Sequence, residues 1–270
     1  MTDLIPAGRR PIFSLILFFT LAFAITWLAW GSAALISPDA ARLDLMILGG
    51  LGPLAAAVIA SAVESGRGGV VALFRRLAVR LSWRVMALLL LAIAALRLAP
   101  LLLVLTGQPL VPLGMDALAA LPVTFLFVAL VGGGLDEEAG WRGFAQPRLQ
   151  KLVPPLPASV LIGLVWSLWH LPLWFLPGSV HGQLSLPVYV LSTTALSVLL
   201  AYAFNVPGGS LLAVVLVHAA SNTADNLRYA LAGVQTDASP MLPLQLALGL
   251  TMVTAAVVLI AATRGRLGLR

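Results

Sequence analysis

The sequence predicts an all-α polytopic membrane protein, with about eight transmembrane helices and one basic interfacial helix. Hydrophobic residues make up 60% of the 270 residues and charged residues only 10%, whereas a soluble domain carries about 25% charged residues. Apolar runs of about 20 residues, the length needed to cross a bilayer, recur along the whole chain. We therefore expect a single transmembrane domain over residues 1–270.

Eight apolar runs are long enough to span a membrane. The first follows a short basic segment that resembles the start of a signal peptide, but its length of about 25 residues exceeds that of a signal sequence. We therefore expect it to be a permanent helix. The predicted spans are approximately 12–36, 44–63, 85–105, 116–134, 156–176, 187–205, 209–230 and 241–263.

The basic residues predict the orientation of these spans. With the N-terminus inside, thirteen of the 16 basic residues fall in inner segments and two fall in outer segments, while Arg97 lies within a predicted helix. Cytoplasmic loops are enriched in arginine and lysine, so both termini are expected in the cytoplasm, with the protein in the cell membrane. Because these charges lie beside apolar runs, the net charge of +6 indicates membrane topology and no nucleic-acid partner.

The segment from Val70 to Arg84 has the pattern of an amphipathic helix. Three arginines recur every four residues on one helical face and three leucines on another: Arg76, Arg80 and Arg84, and Leu73, Leu77 and Leu81. This pattern predicts a helix lying on the inner membrane surface. Its expected role is to anchor the topology against anionic lipid, and substrate docking is the alternative.

The acidic stretch Asp136-Glu137-Glu138 interrupts an otherwise apolar sequence, and ionisable groups at membrane depth usually mark a functional site. On a helix, Glu138 and Arg142 are four residues apart and can form a structural ion pair. Glu137 is rotated by about 100° from Glu138 and has no basic residue three or four positions later. It is therefore the candidate general base. The alternative is an acidic loop at the membrane surface.

Two histidines and an asparagine complete the candidate site. His170 lies deep in the fifth span, and His218 and Asn222 share one face of the seventh. Imidazole and carboxamide groups can donate hydrogen bonds to a developing oxyanion, although Asn222 could instead join two helices. One carboxylate, two imidazoles and one amide on three helices would build a water-activating site. His181 is expected on an exterior loop and is excluded.

These residues resemble the CAAX-protease and bacteriocin-processing (Abi) family of intramembrane proteases. Its first motif, E-E-x-x-x-R, is matched by Glu137, Glu138 and Arg142. Its second, F-x-x-x-H, is matched at His170 with Trp166 in place of phenylalanine, which affects the shape of the pocket. Its third, H-x-x-x-N, is matched by His218 and Asn222. The resemblance covers about residues 120–230, and we expect the catalytic core over about 116–230.

The resemblance implies an intramembrane endopeptidase, in which Glu137 activates water with the help of His170 while His218 and Asn222 stabilise the oxyanion. The family is often described as metalloproteases. The chain has no cysteine and no H-E-x-x-H motif, but Glu137, His170 and His218 could hold a divalent metal such as zinc, which needs three protein ligands. The same groups could equally act without a metal.

The expected partners are the lipid bilayer and a membrane-associated peptide or protein substrate, which could carry a lipid. Cleavage of prenylated CAAX sequences is the task of the eukaryotic member, and a bacterial member is more plausibly a processor of a leader or peptide. A second hypothesis is a non-proteolytic membrane scaffold or immunity protein of the same family. A proton-coupled transporter ranks last, because the sequence has no inverted repeat.

Overall fold

The computed structural model describes residues 11–36, 43–104, 111–176, 179–232 and 241–269, and these residues form an all-α membrane protein. Its helices are α1 (Pro11–Ile36), α2 (Leu43–Gly50), α3 (Gly52–Arg75), α4 (Trp83–Val104), α5 (Met115–Val131), α6 (Leu135–Glu138), α7 (Gln146–Leu149), α8 (Pro155–Trp169), α9 (Leu186–Asn205), α10 (Leu211–Leu231) and α11 (Met241–Thr263). A π-helix, Ala139–Ala145, joins α6 to α7.

The predicted polytopic fold is confirmed, and all eight predicted spans fall on helices. Within the described ranges, six helical segments are long and apolar enough to cross a membrane, and a shorter apolar segment runs over Met86–Leu102. Helix α10 has 21 residues but is not among the six. It carries His218, Asn222, Asp225 and Arg228 on turns that face other helices or the central cavity.

Small residues let the helices approach closely. Helix α3 packs against α1, and its Ala56, Ala57 and Ala60 have no exposed area. Helix α8 packs against α9 at Gly163, where an added Cβ would lie 2.7 Å from the Cα of Thr194. Close packing of small residues is a main source of helix association in membranes. It holds α8 and α9 beside the central site.

The predicted basic interfacial helix over Val70–Arg84 is wrong as a single element. Helix α3 has a kink at Ser65 and Gly66, continues to Arg75, and is followed by one 3₁₀ turn that ends at Ala78. Arg84 belongs to α4 instead. Arg76 is buried, with its guanidinium 5.5 Å from the Phe204 ring centroid and Nη1 donating to the Gly209 carbonyl. The three arginines therefore do not form one exposed face.

Candidate active site

The acidic stretch is buried inside the protein and is helical, so the alternative of a surface loop is wrong. Asp136, Glu137 and Glu138 are exposed by 1%, 7% and 0%. The π-helix that follows lies against α3, where Gly140 leaves room for Pro53, since an added Cβ would lie 2.7 Å from the proline. Single turns of π-helix are frequent at functional sites. Here the π-helix places Trp141 and Arg142 beside the carboxylates.

Glu138 lies at the centre of a buried network. Its Oε1 accepts hydrogen bonds from Arg142 Nη1 at 2.8 Å and from His218 Nδ1 at 2.7 Å. The predicted ion pair is therefore formed, and the same oxygen also holds one of the two candidate histidines. The Arg142 guanidinium lies 4.6 Å from the Trp166 ring centroid. Glu138 thus fixes the orientation of the His218 ring, a contact that the sequence motifs do not reveal.

Glu137 has one oxygen held and one oxygen facing a histidine. Its Oε2 accepts hydrogen bonds from the indole nitrogens of Trp141 and Trp166. Its Oε1 lies 3.9 Å from His170 Nε2, which is beyond direct hydrogen-bonding distance and suited to a bridging water. Two tryptophans therefore orient the carboxylate so that Oε1 and His170 can contact the same water.

The His170 ring has a defined tautomer in its neutral form. Its Nδ1 lies 2.9 Å from the Trp166 carbonyl oxygen, and a carbonyl can only accept, so Nδ1 carries the proton. The Nε2 that faces Glu137 then has a free lone pair. The ring is fixed at the end of α8, where Pro172 enters a 3₁₀ turn. His170 can therefore accept a hydrogen bond from a water that Glu137 also holds.

Three of the candidate side chains converge beside Gly133. A Cβ added to Gly133 would lie 2.7 Å from Asn222 Nδ2, 2.9 Å from His218 Nε2 and 3.3 Å from Glu137 Oε1. Gly133 has a φ of +112°, which disfavours residues with a side chain. Asn222 Nδ2 also donates to the neighbouring Gly132 carbonyl at 3.1 Å. The missing side chain leaves space at the point where base and hydrogen-bond donors meet.

We expect Gly133→Ala to lower any activity of this site at least about 100-fold, because the new Cβ would displace two donors that typically contribute that much each. Gly31→Ala is the matched control, since an added Cβ there meets nothing within 4 Å. Both variants are compared by catalytic rate and by thermal unfolding. Full activity in Gly133→Ala would contradict the convergence of these groups on the reacting atoms.

The exclusion of His181 from the site is wrong. His181 lies on a 3₁₀ turn, Val180–Gln183, and lines the cavity, with its ring 6.0 Å from the His170 ring at an angle of 16°. Burial lowers the pKa of His181 to about 4, so the ring is neutral at physiological pH. It packs against Trp174 and Tyr189, and it thereby forms part of the wall behind His170.

A cavity of about 470 Å³ contains the four candidate groups Glu137, His170, His218 and Asn222. This volume is within the range of small-molecule and cofactor sites. Apolar residues make up much of the remaining wall, on α2, α5 and the turn after α8: Met46, Ile47, Phe127, Val131 and Leu173. The cavity therefore combines a polar cluster with an apolar wall.

The groups considered for a metal do not form a ligand set. Among the described residues, no three histidine, aspartate or glutamate side chains are arranged to hold a metal ion. His218 directs Nδ1 to Glu138, and Glu137 uses one oxygen for the two indoles. The arrangement therefore does not fit a three-ligand zinc site built from Glu137, His170 and His218.

The chain is similar to a known protein family and to a named relative. Residues 119–224 match the family model described as type II CAAX prenyl endopeptidase Rce1-like. The CAAX prenyl protease 2 of Methanococcus maripaludis is 43% identical over 63 residues, which cover 23% of this chain and 22% of that relative. The match thus spans less than a quarter of the relative's length. The region matched by the family model includes Glu137, His170, His218 and Asn222.

Proposed function

We propose that the protein is an intramembrane endopeptidase, because residues 119–224 match the Rce1-like family model of type II CAAX prenyl endopeptidases. The observation that carries the proposal is the convergence of Glu137, His218 and Asn222 beside Gly133, with His170 facing the same carboxylate. A base, a second base and two hydrogen-bond donors around one point are the parts that peptide hydrolysis needs. The family match supports a catalytic core over about 116–230.

In the proposed reaction, a water held between Glu137 Oε1 and His170 Nε2 attacks the carbonyl carbon of the peptide. Glu137 accepts a proton from the water as the new carbon–oxygen bond forms, and the carbonyl oxygen becomes an oxyanion. Glu137 then gives the proton to the peptide nitrogen, and the carbon–nitrogen bond breaks. His170 orients the water, because its Nδ1 proton is committed to the Trp166 carbonyl.

The oxyanion is stabilised by Asn222 and His218. One N–H of the Asn222 amide donates to the Gly132 carbonyl, and among the described residues the other has no hydrogen-bond partner, so it can donate to the oxyanion. His218 already directs Nδ1–H to Glu138, so its Nε2 donates only when the ring carries two protons. Glu138 and the ring then form a buried ion pair beside the developing negative charge. Hydrogen bonds to the oxyanion are usually among the largest contributions to catalysis.

The proposed substrate is a peptide or protein tail at the membrane, in which a lipid would lie against the apolar wall of the cavity. The names of the family and of its relative refer to prenylated CAAX sequences, which end in a lipid-modified cysteine followed by three residues. We propose a cell-membrane location with both termini in the cytoplasm. A direct test is cleavage of an S-farnesylated CAAX peptide by the purified protein in liposomes.

The non-proteolytic scaffold or immunity protein is the second candidate function. It predicts that substitutions of Glu137, His170 and His218 reduce folding or partner binding and that the folded protein cleaves no peptide. The buried Glu138 network has a structural role in either case. If the wild-type protein cleaves a peptide and a variant with unchanged thermal unfolding does not, the result favours the endopeptidase over the non-proteolytic protein.

Asn222→Ala should lower kcat by about 100- to 1,000-fold, because one oxyanion donor is typically worth that much. The fold should be retained, because Asn222 is only partly buried and, among the described residues, its side chain hydrogen-bonds only the Gly132 carbonyl. Asn226→Ala is the matched control, since Asn226 lies one turn further on α10 and also lines the cavity. An equal effect of both substitutions would contradict a specific role for Asn222.

Removing divalent metals should leave the rate of cleavage unchanged, because the described side chains do not assemble a three-ligand metal site. The measurement is the rate before and after dialysis against 1,10-phenanthroline and EDTA. Activity that is lost on dialysis and restored by zinc alone would contradict the metal-free mechanism. The proposed endopeptidase function would stand in that case.

A further inference from the structure

Asp136 is a buried carboxylic acid that takes no part in the proposed reaction. It is 1% exposed and lines the cavity. Its two oxygens lie 3.0 Å and 3.3 Å from the backbone nitrogen of Gly133. A backbone N–H donates and a carboxylate oxygen accepts, so Asp136 holds the backbone of Gly133. This is the position beside which the candidate base and the two candidate oxyanion donors converge.

The peptide group between Gly132 and Gly133 is held at both of its polar ends. Its N–H belongs to Gly133 and donates to Asp136. Its carbonyl belongs to Gly132 and accepts from Asn222 Nδ2 at 3.1 Å. The N–H and C=O of a trans peptide lie in one plane and point in opposite directions. Asp136 and Asn222 therefore bind opposite edges of one peptide group, and both favour the same orientation of it.

This peptide group depends on its partners for its orientation, because both flanking residues are glycines. Glycine has no Cβ, so a peptide group between two glycines can turn over at little steric cost. The N–H groups of Gly132 and Gly134 donate to one carbonyl of α5, at 3.3 Å and 2.9 Å. The Gly133 N–H between them has Asp136 as its acceptor. If the group turned over, the carbonyl would face the Asp136 oxygens and the N–H would face the Asn222 amide.

We propose that Asp136 is a positioning residue for the oxyanion donor Asn222, and that it acts through the peptide group between Gly132 and Gly133. The inference rests on the proposed endopeptidase function and adds a residue to it. One N–H of Asn222 is bound to the Gly132 carbonyl, and the two N–H bonds of a carboxamide lie in one plane. The position of that carbonyl therefore sets the direction in which the second N–H points. Asp136 itself contacts no reacting atom.

The first test measures cleavage of an S-farnesylated CAAX peptide in liposomes. Asp136→Leu keeps the branched shape of the side chain and removes the acceptor. It should lower kcat about 100-fold with little change in KM, since a displacement of about 1 Å at a reacting group can cost that much. Asp136→Ala removes the acceptor without adding apolar bulk and should have the same effect. Asp136→Asn keeps an oxygen that can accept from Gly133, so it should retain most of the wild-type rate.

A double variant separates positioning of Asn222 from general damage. Asp136→Leu with Asn222→Ala should have the kcat of Asn222→Ala alone, because the donor to be positioned is already absent. Independent effects would multiply instead, and that result would overturn the proposal. An equal loss of rate in Asp136→Asn and Asp136→Leu would also overturn it. Ser167→Ala is the control, because it removes another buried hydrogen bond to a backbone carbonyl, that of Gly163, and should leave kcat unchanged.

A spectroscopic measurement tests the positioning without turnover. The chain has three asparagines, Asn205, Asn222 and Asn226, so labelling their side chains with ¹⁵N gives three pairs of amide N–H signals in nanodiscs. Asn222→Ala identifies its pair by loss of the signals. The Asn222 pair should shift in Asp136→Leu, while the Asn205 pair should not, because Asn205 bonds the Leu267 carbonyl. Unchanged Asn222 signals in the folded variant would overturn the proposal.

Cleavage and the Asn222 signals together distinguish failure of the function from failure of the positioning. If the Asn222 signals respond to Asp136→Leu but the folded wild-type protein cleaves no peptide, the endopeptidase function is overturned and the positioning of the amide stands. If the wild type cleaves the peptide and Asp136→Leu changes neither kcat nor the Asn222 signals, the positioning is overturned and the endopeptidase function stands.

Discussion

Glu137→Gln should lower the rate constant of peptide cleavage by a factor of about 100 to 10,000, the usual contribution of a general base. Glutamine has the size of glutamate, and its carbonyl oxygen can still accept from the Trp141 and Trp166 indoles that hold Glu137 Oε2. It cannot accept a proton from water. The variant should therefore fold and bind peptide normally, and initial rates in liposomes measure the loss.

Asp116→Asn is the control for removing a carboxylate. Asp116 is exposed in the first turn of α5 and is not among the residues that line the cavity, so its replacement should leave the rate unchanged. The assignment of Glu137 would be wrong if Glu137→Gln cleaved a genuine substrate at the wild-type rate. It would also be wrong if the two substitutions reduced the rate equally.

Arg142→Met should destabilise the protein by about 3–5 kcal/mol, the usual result of removing one partner from a buried ion pair. Glu138 and Arg142 both have no exposed side-chain area, so the remaining carboxylate would be left in the interior with His218 as its only charged partner among the described residues. The measurement is the midpoint of thermal unfolding in detergent. A smaller fraction of the expressed Arg142→Met protein should be folded than of the wild type.

The double variant Glu138→Gln with Arg142→Met separates stability from activity. Replacing both members of a buried pair by neutral groups is often nearly neutral for stability, so the midpoint should recover towards the wild-type value. Activity should stay low, because glutamine cannot neutralise a doubly protonated His218 ring. Recovery of both properties would contradict a role for Glu138 in orienting and charging His218.

Hydropathy predicts most of this fold, because each crossing helix must by itself satisfy its backbone hydrogen bonds in lipid. The eight apolar runs therefore coincide with helices, including α10 with its polar residues. The predicted interfacial helix does not form as a single element, for two local reasons. Gly66, with a φ of +57°, kinks α3, and Arg76 finds buried partners at Gly209 and Phe204. The periodicity of the arginines and leucines predicts neither the kink at Gly66 nor the buried contacts of Arg76.

The site could be predicted where its contacts are local along the chain. The Glu138–Arg142 pair follows from a spacing of four residues, and the observed distance is 2.8 Å. The Glu138–His218 contact joins residues 80 apart, so it depends on how α6 packs against α10. The two indoles on Glu137 were also missed, although Trp141 lies four residues later on the helical segment and could have been considered as a donor.

His181 was missed because it lies between two spans, where hydropathy predicts exposure. The segment that carries it folds back over the cavity, with the Trp174 indole donating to the Leu184 carbonyl and the His181 ring packed against His170 and Tyr189. The aromatic residues at 174 and 189 were a usable signal, since a segment flanked by large rings tends to pack against the protein. The spacing of residues along the sequence does not reveal that the His181 ring lies 6.0 Å from the His170 ring.

The most direct test of the central claim is mass spectrometry of the S-farnesylated peptide after incubation with wild-type protein and with Glu137→Gln in liposomes made with ¹⁸O water. The structure predicts two products from the wild type whose masses add up to the peptide plus one water, with the ¹⁸O in the newly formed carboxyl group. It predicts intact peptide from the variant. Intact peptide from the folded wild type would contradict hydrolysis in this cavity. The same products from both proteins would contradict the role of Glu137 as the general base.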